Sequence, residues 1–304
     1  MELRQLEYLI AVAEEANFTR AAGRVHISQS GVSAQIRQLE HDLNATLIDR
    51  SSRTARVTHA GAAALPHARA VLSAVAALRQ AVDEVSGLIS GRLVVGMITA
   101  CTVTGLFDGL AGFHQAHPGV AITLVEDDSA SLIERVRSGG ADLALVGVAG
   151  SEPPGLDSLS IVSEQLAAAA PPGHPVLTGR QGITLAGLAE YPLVCLPPGT
   201  GIRGVLDQAC AAQGIHPDIT MEASAPGAIA DLAARGLGVA VLSESMAASY
   251  APRLAFLPIE DIDIPARLTL IWRSAPDAAL REFLRHCRQA FGMPGDDGRL
   301  RPAT

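Results

Sequence analysis

The stretch HISQSGVSAQIRQLEHDL, residues 26–43, has no obvious catalytic residue, but its apolar positions recur with the period of an α-helix. Val32, Ile36, Leu39 and Leu43 fall on one side of that helix, where they can pack against a core. The opposite side carries glutamine, serine and arginine close to the helix start. The pattern therefore predicts a helix with one buried face and one polar face near its N-terminus.

Two further helices and a hairpin surround this element. Residues 3–15 have the pattern of an amphipathic helix, and residues 18–27 predict a short second helix with Thr19 as a plausible N-cap. With Ser28 capping the third helix after a tight turn, the arrangement is a helix-turn-helix. Residues 45–59 then alternate around a Ser-Ser-Arg turn, which predicts a β-hairpin wing.

The polar residues of this unit suit contact with double-stranded DNA. A helix that enters the major groove by its N-terminus brings its first side chains to the base edges, while its amides face phosphate. Glutamine can pair with adenine, arginine with guanine or phosphate, and serine with base edges or phosphate. The predicted DNA-binding residues are Ser28, Gln29, Ser30, Ser33, Ala34, Gln35, Arg37, Arg50, Arg53 and Arg56. An isolated helix could instead present an ordinary solvated face, but the helix pair and the arginine-rich hairpin favour DNA.

The charge of the chain is divided unevenly. The net charge is −8, yet residues 1–90 carry nine arginines and nine acidic residues, and residues 16–58 carry six arginines and three acidic residues. Residues 91–304 therefore account for the whole negative charge. This division indicates a DNA-facing head on an acidic body.

Several classes of function find no support. All 23 basic residues are arginine, which excludes a phosphate-binding or Schiff-base lysine. No GxSxG or HExxH motif occurs, and the four cysteines lack metal-ligand spacing, so we predict no enzyme, no metal site and no cofactor. The sequence has no apolar run of membrane-spanning length and begins unlike a signal peptide. We expect a cytoplasmic protein without membrane contact.

Residues 3–43, LRQLEYLIAVAEEANFTRAAGRVHISQSGVSAQIRQLEHDL, resemble the N-terminal domain of the LysR-type transcriptional regulators, and the similarity continues through the wing into THAG. The resemblance implies a regulator that binds promoter or operator DNA and a small-molecule effector, as a homodimer or homotetramer. Two positions depart from the family: Ser30 stands where proline is usual, and Ala34 where arginine or another polar residue is common. Gln29, Ser33 and the wing then specify more of the site, while Ala34 could touch a thymine methyl group.

Residues 59–90 predict a linker helix. Its apolar residues follow a heptad-like spacing: Leu65, Ala68, Leu72, Val75, Leu78, Val82 and Val85. One interpretation is a helix packed on its own domain. The resemblance implies instead a dimerisation helix that pairs with a second subunit.

From residue 91 the pattern changes to apolar strands that alternate with helices, which predicts an α/β domain with mainly parallel sheets. The whole chain is therefore expected to be α+β and multidomain, with the winged helix-turn-helix at residues 1–58. The resemblance implies that residues 91–304 form an effector domain similar to periplasmic binding proteins, with two lobes joined by crossing strands. We place lobe one at residues 91–164 and 266–292, lobe two at 165–265, and a flexible tail at 293–304.

A glycine-rich turn offers a competing interpretation. Gly199, Gly201 and Gly204 form GxGxxG after a strand and at a helix start, and Glu222 ends the next strand. This matches a dinucleotide fingerprint and would make the chain a redox-sensing winged-helix regulator that binds NAD(H). Two prolines before the glycines oppose it, and the resembled family has a comparable turn that serves its effector.

The effector site follows from the expected sheet geometry. Ligands of open α/β sheets bind at the carboxyl ends of strands, beside helix N-termini whose amides can hold a carboxylate. The predicted effector-binding residues are Thr99, Ala100, Cys101, Thr102, Ser129, Gly147, Val148, Thr200, Gly201 and Ile202. The alternative for each hydroxyl is an ordinary helix cap. By resemblance, the usual hydroxyl residue of the first loop falls on Ala100, so Thr99 or Cys101 could substitute for a polar or carboxylate-bearing effector.

Overall fold

The computed structural model describes residues 1–50, 54–85, 89, 91–99, 101 and 103–293. Within these residues the chain forms two compact units that divide near Gly91. Among the described helices, none combines the length and the apolarity needed to cross a bilayer.

The N-terminal unit begins with three helices: α1 Leu3–Glu15, α2 Phe18–Arg24 and α3 Gln29–Asp42. Ser28 is the N-cap of α3, as predicted, because its hydroxyl accepts a hydrogen bond from the amide of Gly31 at 3.1 Å. The N-cap of α2 is Asn17, whose side chain accepts from the amides of Thr19 and Arg20. The prediction of Thr19 as the cap was wrong, since Thr19 already lies in the first turn.

The core of this unit lies where the three helices meet. Val32, Ile36 and Leu39 are fully buried, whereas Leu43, the last member of the predicted stripe, is exposed beyond the helix end. Small residues at Ala21 and Ala22 are buried at the helix contact in the same cluster. The helix-turn-helix is therefore confirmed, with one apolar stripe of α3 supplying much of its core.

The wing is a short hairpin held by one carboxylate. Strands β1, Ile48–Asp49, and β2, Arg56–Val57, pair antiparallel. The Glu40 carboxylate on α3 accepts from the amides of Leu47 and Ile48 at 2.9 and 3.0 Å, and from Arg50 Nη2 at 2.7 Å. This nearly buried carboxylate therefore anchors the first strand of the wing to α3.

Helix α4, His59–Val85, starts at the THAG segment. The Thr58 hydroxyl accepts from the Gly61 amide at 3.0 Å and donates to the Thr46 carbonyl at 2.6 Å, so THAG ties the helix start to the wing. The heptad-like seam divides in two along the helix. Leu65 and Ala68 are buried in the core of the N-terminal unit, whereas Leu78 is 67% exposed. The side chains of Val82 and Val85 lie outside the described residues.

The second unit holds two sheets, each with five strands among the described residues. The strands of the first sheet are β3 Gly91–Ile98, β4 Val120–Asp127, β5 Leu143–Ala149, β6 Asp157–Glu164 and β12 Ala266–Trp272, in the order β4-β3-β5-β12-β6. Helices of this lobe are α5 Thr104–Ala116, α6 Ser129–Arg137 and α11 Ala278–Ala290. Leu132 and Val136 of α6 pack on apolar residues of β5, and α11 lies along α5.

The second sheet belongs to the other lobe. Its strands are β7 Leu166–Ala170, β8 Leu193–Cys195, β9 Ile219–Glu222, β10 Val239–Ser243 and β11 Ala255–Pro258, in the order β11-β7-β10-β8-β9. The helices are α7 Leu185–Leu188, α8 Gly201–Gln213, α9 Pro226–Ala234 and α10 Glu244–Ala248, with a 3-10 turn at Pro175–Leu177. The fold class expected from the sequence is thus confirmed.

Both sheets are mixed: β3 and β5 are parallel, as are β8, β9 and β10, but each sheet also holds one strand that runs against its neighbours. β12 runs antiparallel to β5 and β6, and β7 runs antiparallel to β10 and β11. The reason is topological: the chain leaves lobe one through β6 and β7 and returns through β12, and a returning strand runs in the opposite direction. The pattern of apolar strands does not mark β6, which is mostly polar, or β7, which is nearly all alanine, a weak strand former.

We expect Gly61→Ala to destabilise the N-terminal unit by about 1–3 kcal/mol, because a Cβ there would collide with the Leu47 carbonyl oxygen and lie 2.9 Å from Val57 Cγ1. Urea unfolding of the full chain, followed by circular dichroism, measures the change. Gly23→Ala in α2 is the matched control, since nothing lies within 4 Å of its added Cβ and helix propensity favours alanine by up to about 1 kcal/mol. Equal destabilisation by the two variants would contradict this packing account.

Candidate DNA-binding surface and effector cavity

The first two turns of α3 present most of the predicted base-reading residues to solvent. Gln29, Ser30 and Ala34 are exposed, and Ser33 is partly exposed. Hydrogen bonds orient part of this surface: Arg37 Nη1 donates to Ser33 Oγ at 3.2 Å. Among the described residues, the Gln29 side chain has no hydrogen-bond partner, so its amide is available to pair with a base edge.

Two predicted DNA-binding residues instead make contacts within the unit. The Gln35 amide oxygen accepts from the side chain of Gln5, which is almost fully buried on α1. Arg50 pairs with Glu40 and lies over the Phe18 ring, 5.5 Å from its centroid. Both residues therefore hold the unit together, whatever they contact on DNA.

Among the described residues, the wing presents one exposed arginine that is available to contact DNA. Arg56 is exposed opposite Asp49 in the hairpin and has no hydrogen bond or ion pair among the described side chains. It is therefore free to pair with phosphate. Arg53, which the sequence analysis also predicted to bind DNA, lies outside the described residues.

A cavity of about 270 Å³ lies between the two lobes of the second unit. It forms at the carboxyl ends of strands: Thr99 follows β3, Leu196 follows β8, and Ser243 ends β10. Seven predicted residues line it, namely Thr99, Cys101, Ser129, Gly147, Thr200, Gly201 and Ile202. Val148 does not line it, because this side chain is buried in the core beside α6. Ala100 and Thr102 lie outside the described residues.

The lobes touch backbone to backbone beside the cavity. A Cβ added to Gly201 would lie 2.7 Å from Gly147 Cα, and a Cβ added to Gly147 would lie 3.2 Å from the Gly201 nitrogen. On the lobe-one side, the buried Ser129 hydroxyl accepts from the Gly147 amide at 2.9 Å. A Cβ at Gly201 could not be placed without moving the Gly147 backbone, whereas a Cβ at Gly147 would need its neighbours to give by a few tenths of an ångström. Gly201 above all therefore sets the spacing of the two cavity walls.

The hydroxyl of Thr200 uses its hydrogen as a donor within the protein but keeps its capacity to accept. It donates to the Pro197 carbonyl at 2.9 Å, which leaves its lone pairs able to accept from a ligand. Within the described part of the chain no side chain caps α8, and the Thr200 hydroxyl does not satisfy the first amides of this helix. The start of α8 is thus a polar element of the cavity wall, as expected for ligand sites in α/β sheets.

Four charged residues line the cavity, and the sequence interpretation named none of them. The three acidic residues have partners: the Asp128 carboxylate accepts from the Ser131 amide, Glu164 accepts from Ser245 Oγ, and Asp127 lies 3.7 Å from Arg135. The Ser131 amide also holds the pKa of Asp128 below its usual value, although burial opposes this shift.

Arg267 on β12 is different, because it has no hydrogen-bond or ion-pair partner among the described residues. It is only partly exposed. The one available signal in the sequence was its place as the single charged residue of the strand ARLTLIW.

The cysteines are poor candidates for reactive thiols. Burial raises the pKa of Cys195 and of Cys287 to about 12, and it also raises the pKa of Cys210. Cys101, the one thiol that lines the cavity, likewise has its pKa raised by burial. Since the thiolate is the nucleophile, none of these four sites favours thiol chemistry.

The dinucleotide interpretation is not favoured. Glu222, its expected ribose partner, is bound by Arg203, which also pairs with Asp207 at 2.7 Å. The close approach at Gly201 is occupied by the backbone of Gly147 rather than left open for a pyrophosphate. The glycines of this turn therefore serve the contact between the lobes.

Comparisons with known proteins agree with this arrangement. Residues 3–62 match the bacterial regulatory helix-turn-helix protein model of the lysR family, and residues 86–292 match the LysR substrate binding domain. The chain belongs to the LysR family of transcriptional regulators. It is a DNA-binding regulator with an effector-binding domain.

Individual relatives cover nearly the whole chain. The HTH-type transcriptional regulator ShiR of Corynebacterium glutamicum is 32% identical over 285 residues, which span 93% of this chain and 96% of ShiR. A full-length OxyR variant from Pseudomonas aeruginosa is 26% identical, with a TM-score of 0.72 and 95% of each chain covered. Full-length CbnR, solved in complex with its target DNA, is also 26% identical, with a TM-score of 0.61 over 95% of this chain and all of that one.

We expect Gln29→Ala to weaken the free energy of binding to the preferred DNA site by roughly 1–3 kcal/mol. The loss on a scrambled duplex should be much smaller, because the lost contact reads a base. The site can be selected from a random duplex library, and affinities measured by fluorescence anisotropy. Gln38→Ala is the matched control: this exposed glutamine of α3 lies two turns later and donates to Asp42. Equal losses for Gln29→Ala on both duplexes would make Gln29 a backbone contact instead.

Proposed function

We propose that this LysR-family regulator binds operator DNA as a homodimer, which assembles further into a homotetramer, and responds to a small carboxylate-bearing effector in the cavity between its lobes. The effector class rests on one observation: the guanidinium of Arg267 at that cavity has no partner in the described part of the chain. The DNA contacts are assigned to the first turns of α3 and to the wing. We also propose the division of the chain into regions 1–58, 59–90 and 91–304, with the start of the second region packed in the core of the first.

The charge balance of the cavity supports an anionic ligand group. Asp128 and Glu164 are compensated by the helix starts that they cap, and Asp127 by Arg135. Among the described residues, Arg267 has no such compensation. A partly buried guanidinium without a carboxylate partner favours a ligand that supplies one, since arginine binds carboxylates through two parallel hydrogen bonds.

The DNA assignment is supported by position and by charge. Gln29, Ser30 and Ser33 project from the start of α3, which is the part of a recognition helix that reaches base edges. CbnR, a structural neighbour of this chain, has been solved on its target DNA. We infer that α3 enters the major groove and that Arg56 contacts phosphate. The protein is then expected in the cytoplasm with its DNA, and as a binding protein rather than an enzyme, like its regulator relatives.

The dimer assignment is supported by the second half of α4. Val71 and Leu78 are exposed by 41% and 67% and lie seven residues apart, which places them on one stripe of the helix. A second copy of the helix would bury both. This supports α4 as the dimer contact, with half-sites one or more DNA turns apart.

We expect Leu78→Ser to weaken self-association of the full chain by about tenfold or more, because each subunit loses a leucine that the proposed dimer would bury. Sedimentation equilibrium measures the dissociation constant. Ala70→Ser, also exposed on α4 but outside the Val71–Leu78 stripe, should leave it unchanged. Wild-type association of Leu78→Ser would move the dimer contact away from this stripe.

The effector class is tested by pairing each carboxylate with its primary carboxamide. Small mono- and dicarboxylates should raise the thermal midpoint of the wild-type protein, while the amides should not. We expect Arg267→Gln to weaken carboxylate binding about 10- to 100-fold, because a hydrogen-bonded charge pair is lost.

Arg253→Gln is the control for charge alone, since Arg253 is exposed and pairs with Asp231 away from the cavity lining. It should bind like the wild type. Equal binding of acids and amides, or full retention by Arg267→Gln, would contradict the carboxylate assignment while leaving the DNA-binding function intact.

A further inference from the structure

Three potential metal ligands that the proposed function does not use meet in lobe one. His117 is the C-cap residue of α5, and Glu282 and His286 lie one turn apart on α11. One donor atom of each lies within 4.8 Å of the other two. All three side chains are partly exposed, and none lines the cavity between the lobes.

We propose that His117, Glu282 and His286 form a binding site for a divalent transition-metal ion, with Zn²⁺ as the fitting ion. Two imidazoles and one carboxylate are a common ligand set for zinc. Bonds of about 2.0–2.2 Å place the donors of a tetrahedral site roughly 3.4 Å apart, so the donor atoms need to approach one another by at most about 1.4 Å. A water molecule would complete the coordination.

The packing of the two helices holds these imidazoles in place. The Phe113 ring lies 5.1 Å from the His117 ring and 6.0 Å edge-on from the His286 ring, so one aromatic side chain orients both. A Cβ added to Gly112 would lie 3.0 Å from His286 Nδ1, which shows how closely the His286 ring approaches α5. The ligands from distant parts of the sequence are thus brought together by the core of lobe one.

A guanidinium already occupies the position between two of the ligands. Arg285 Nε lies 2.7 Å from the Glu282 carboxylate, and Arg285 Nη2 lies 3.1 Å from His286 Nε2. The Arg285 side chain is 54% exposed, so it can turn into solvent at little cost. A metal ion would replace this cation, and Arg285 is therefore a competitor that sets the affinity of the site.

Metal binding would add a link between the C-terminal helix and α5. Without the ion, the contacts around the cluster are ring packing and the exposed ion pair of Arg285 with Glu282. Coordination would join the two helices through three bonds to one centre. The expected consequence is a more stable lobe one, since an ion that binds only the folded state shifts unfolding to higher temperature.

The experiment uses the full chain without an affinity tag, stripped of metal with a chelator. Calorimetric titration with Zn²⁺ measures affinity, and the visible absorption of bound Co²⁺ reports coordination. We expect His117→Ala, Glu282→Gln and His286→Ala each to weaken binding about tenfold or more. Arg285→Gln should tighten binding several-fold, a gain that a merely structural role of Arg285 would not produce.

His114→Ala is the matched control, because His114 is exposed on α5 but lies outside the cluster. This variant should bind Zn²⁺ like the wild type. Zn²⁺ should also raise the thermal midpoint of the wild type and of His114→Ala, but not of Glu282→Gln, whose shape is unchanged. Binding that survives loss of both histidines, or that weakens in Arg285→Gln, would overturn the site. Circular dichroism of each variant separates loss of a ligand from loss of fold.

Discussion

The contact between Gly147 and Gly201 is the constraint on which the effector domain depends. Two lobes with separate sheets meet there at the distance of bare backbone, and the cavity opens directly beside them. A side chain at Gly201 would push the walls apart, and one at Gly147 would make a tight contact with the Gly201 backbone. The cavity therefore has its width set above all by the absence of a Cβ atom at Gly201, and its polarity set by the helix starts and by Arg267 around it.

In the N-terminal unit, some polar side chains are paired within the fold while others are left free on the surface. Several polar side chains of this unit are used internally: Gln5 with Gln35, Glu40 with Arg50, and Asn17 at the start of α2. Gln29 and Arg56 are left without partners among the described residues. This difference supports the proposed DNA contacts, because a side chain already paired within the protein must give up that partner before it binds DNA.

Sequence reasoning was successful where local periodicity and caps decide the structure. The stripe of α3, the Ser28 cap and the strand ends around the cavity were all readable, because each depends on neighbours within a few residues. It failed where long-range pairing decides, as in the alanine strand β7, which is a strand only because β10 and β11 lie on either side of it. Arg50 and Gln35 were assigned by type and position, and nothing local indicated that Glu40 and Gln5 would engage them. For the same reason the sequence did not indicate that His117, at the end of α5, would lie beside Glu282 and His286 of α11.

The division of the α4 seam has a consequence for how this protein can be taken apart. Leu65 and Ala68 belong to the core of the N-terminal unit, so the DNA-binding fold does not end with the wing. A fragment cut at residue 58 would lose these side chains and expose the apolar surface of α1 that they cover. A DNA-binding domain that folds on its own must therefore include the first three turns of α4. The same helix thus works as a buried core element at one end and as an apolar surface at the other, and an exchange of heads between relatives would have to be joined beyond Leu72.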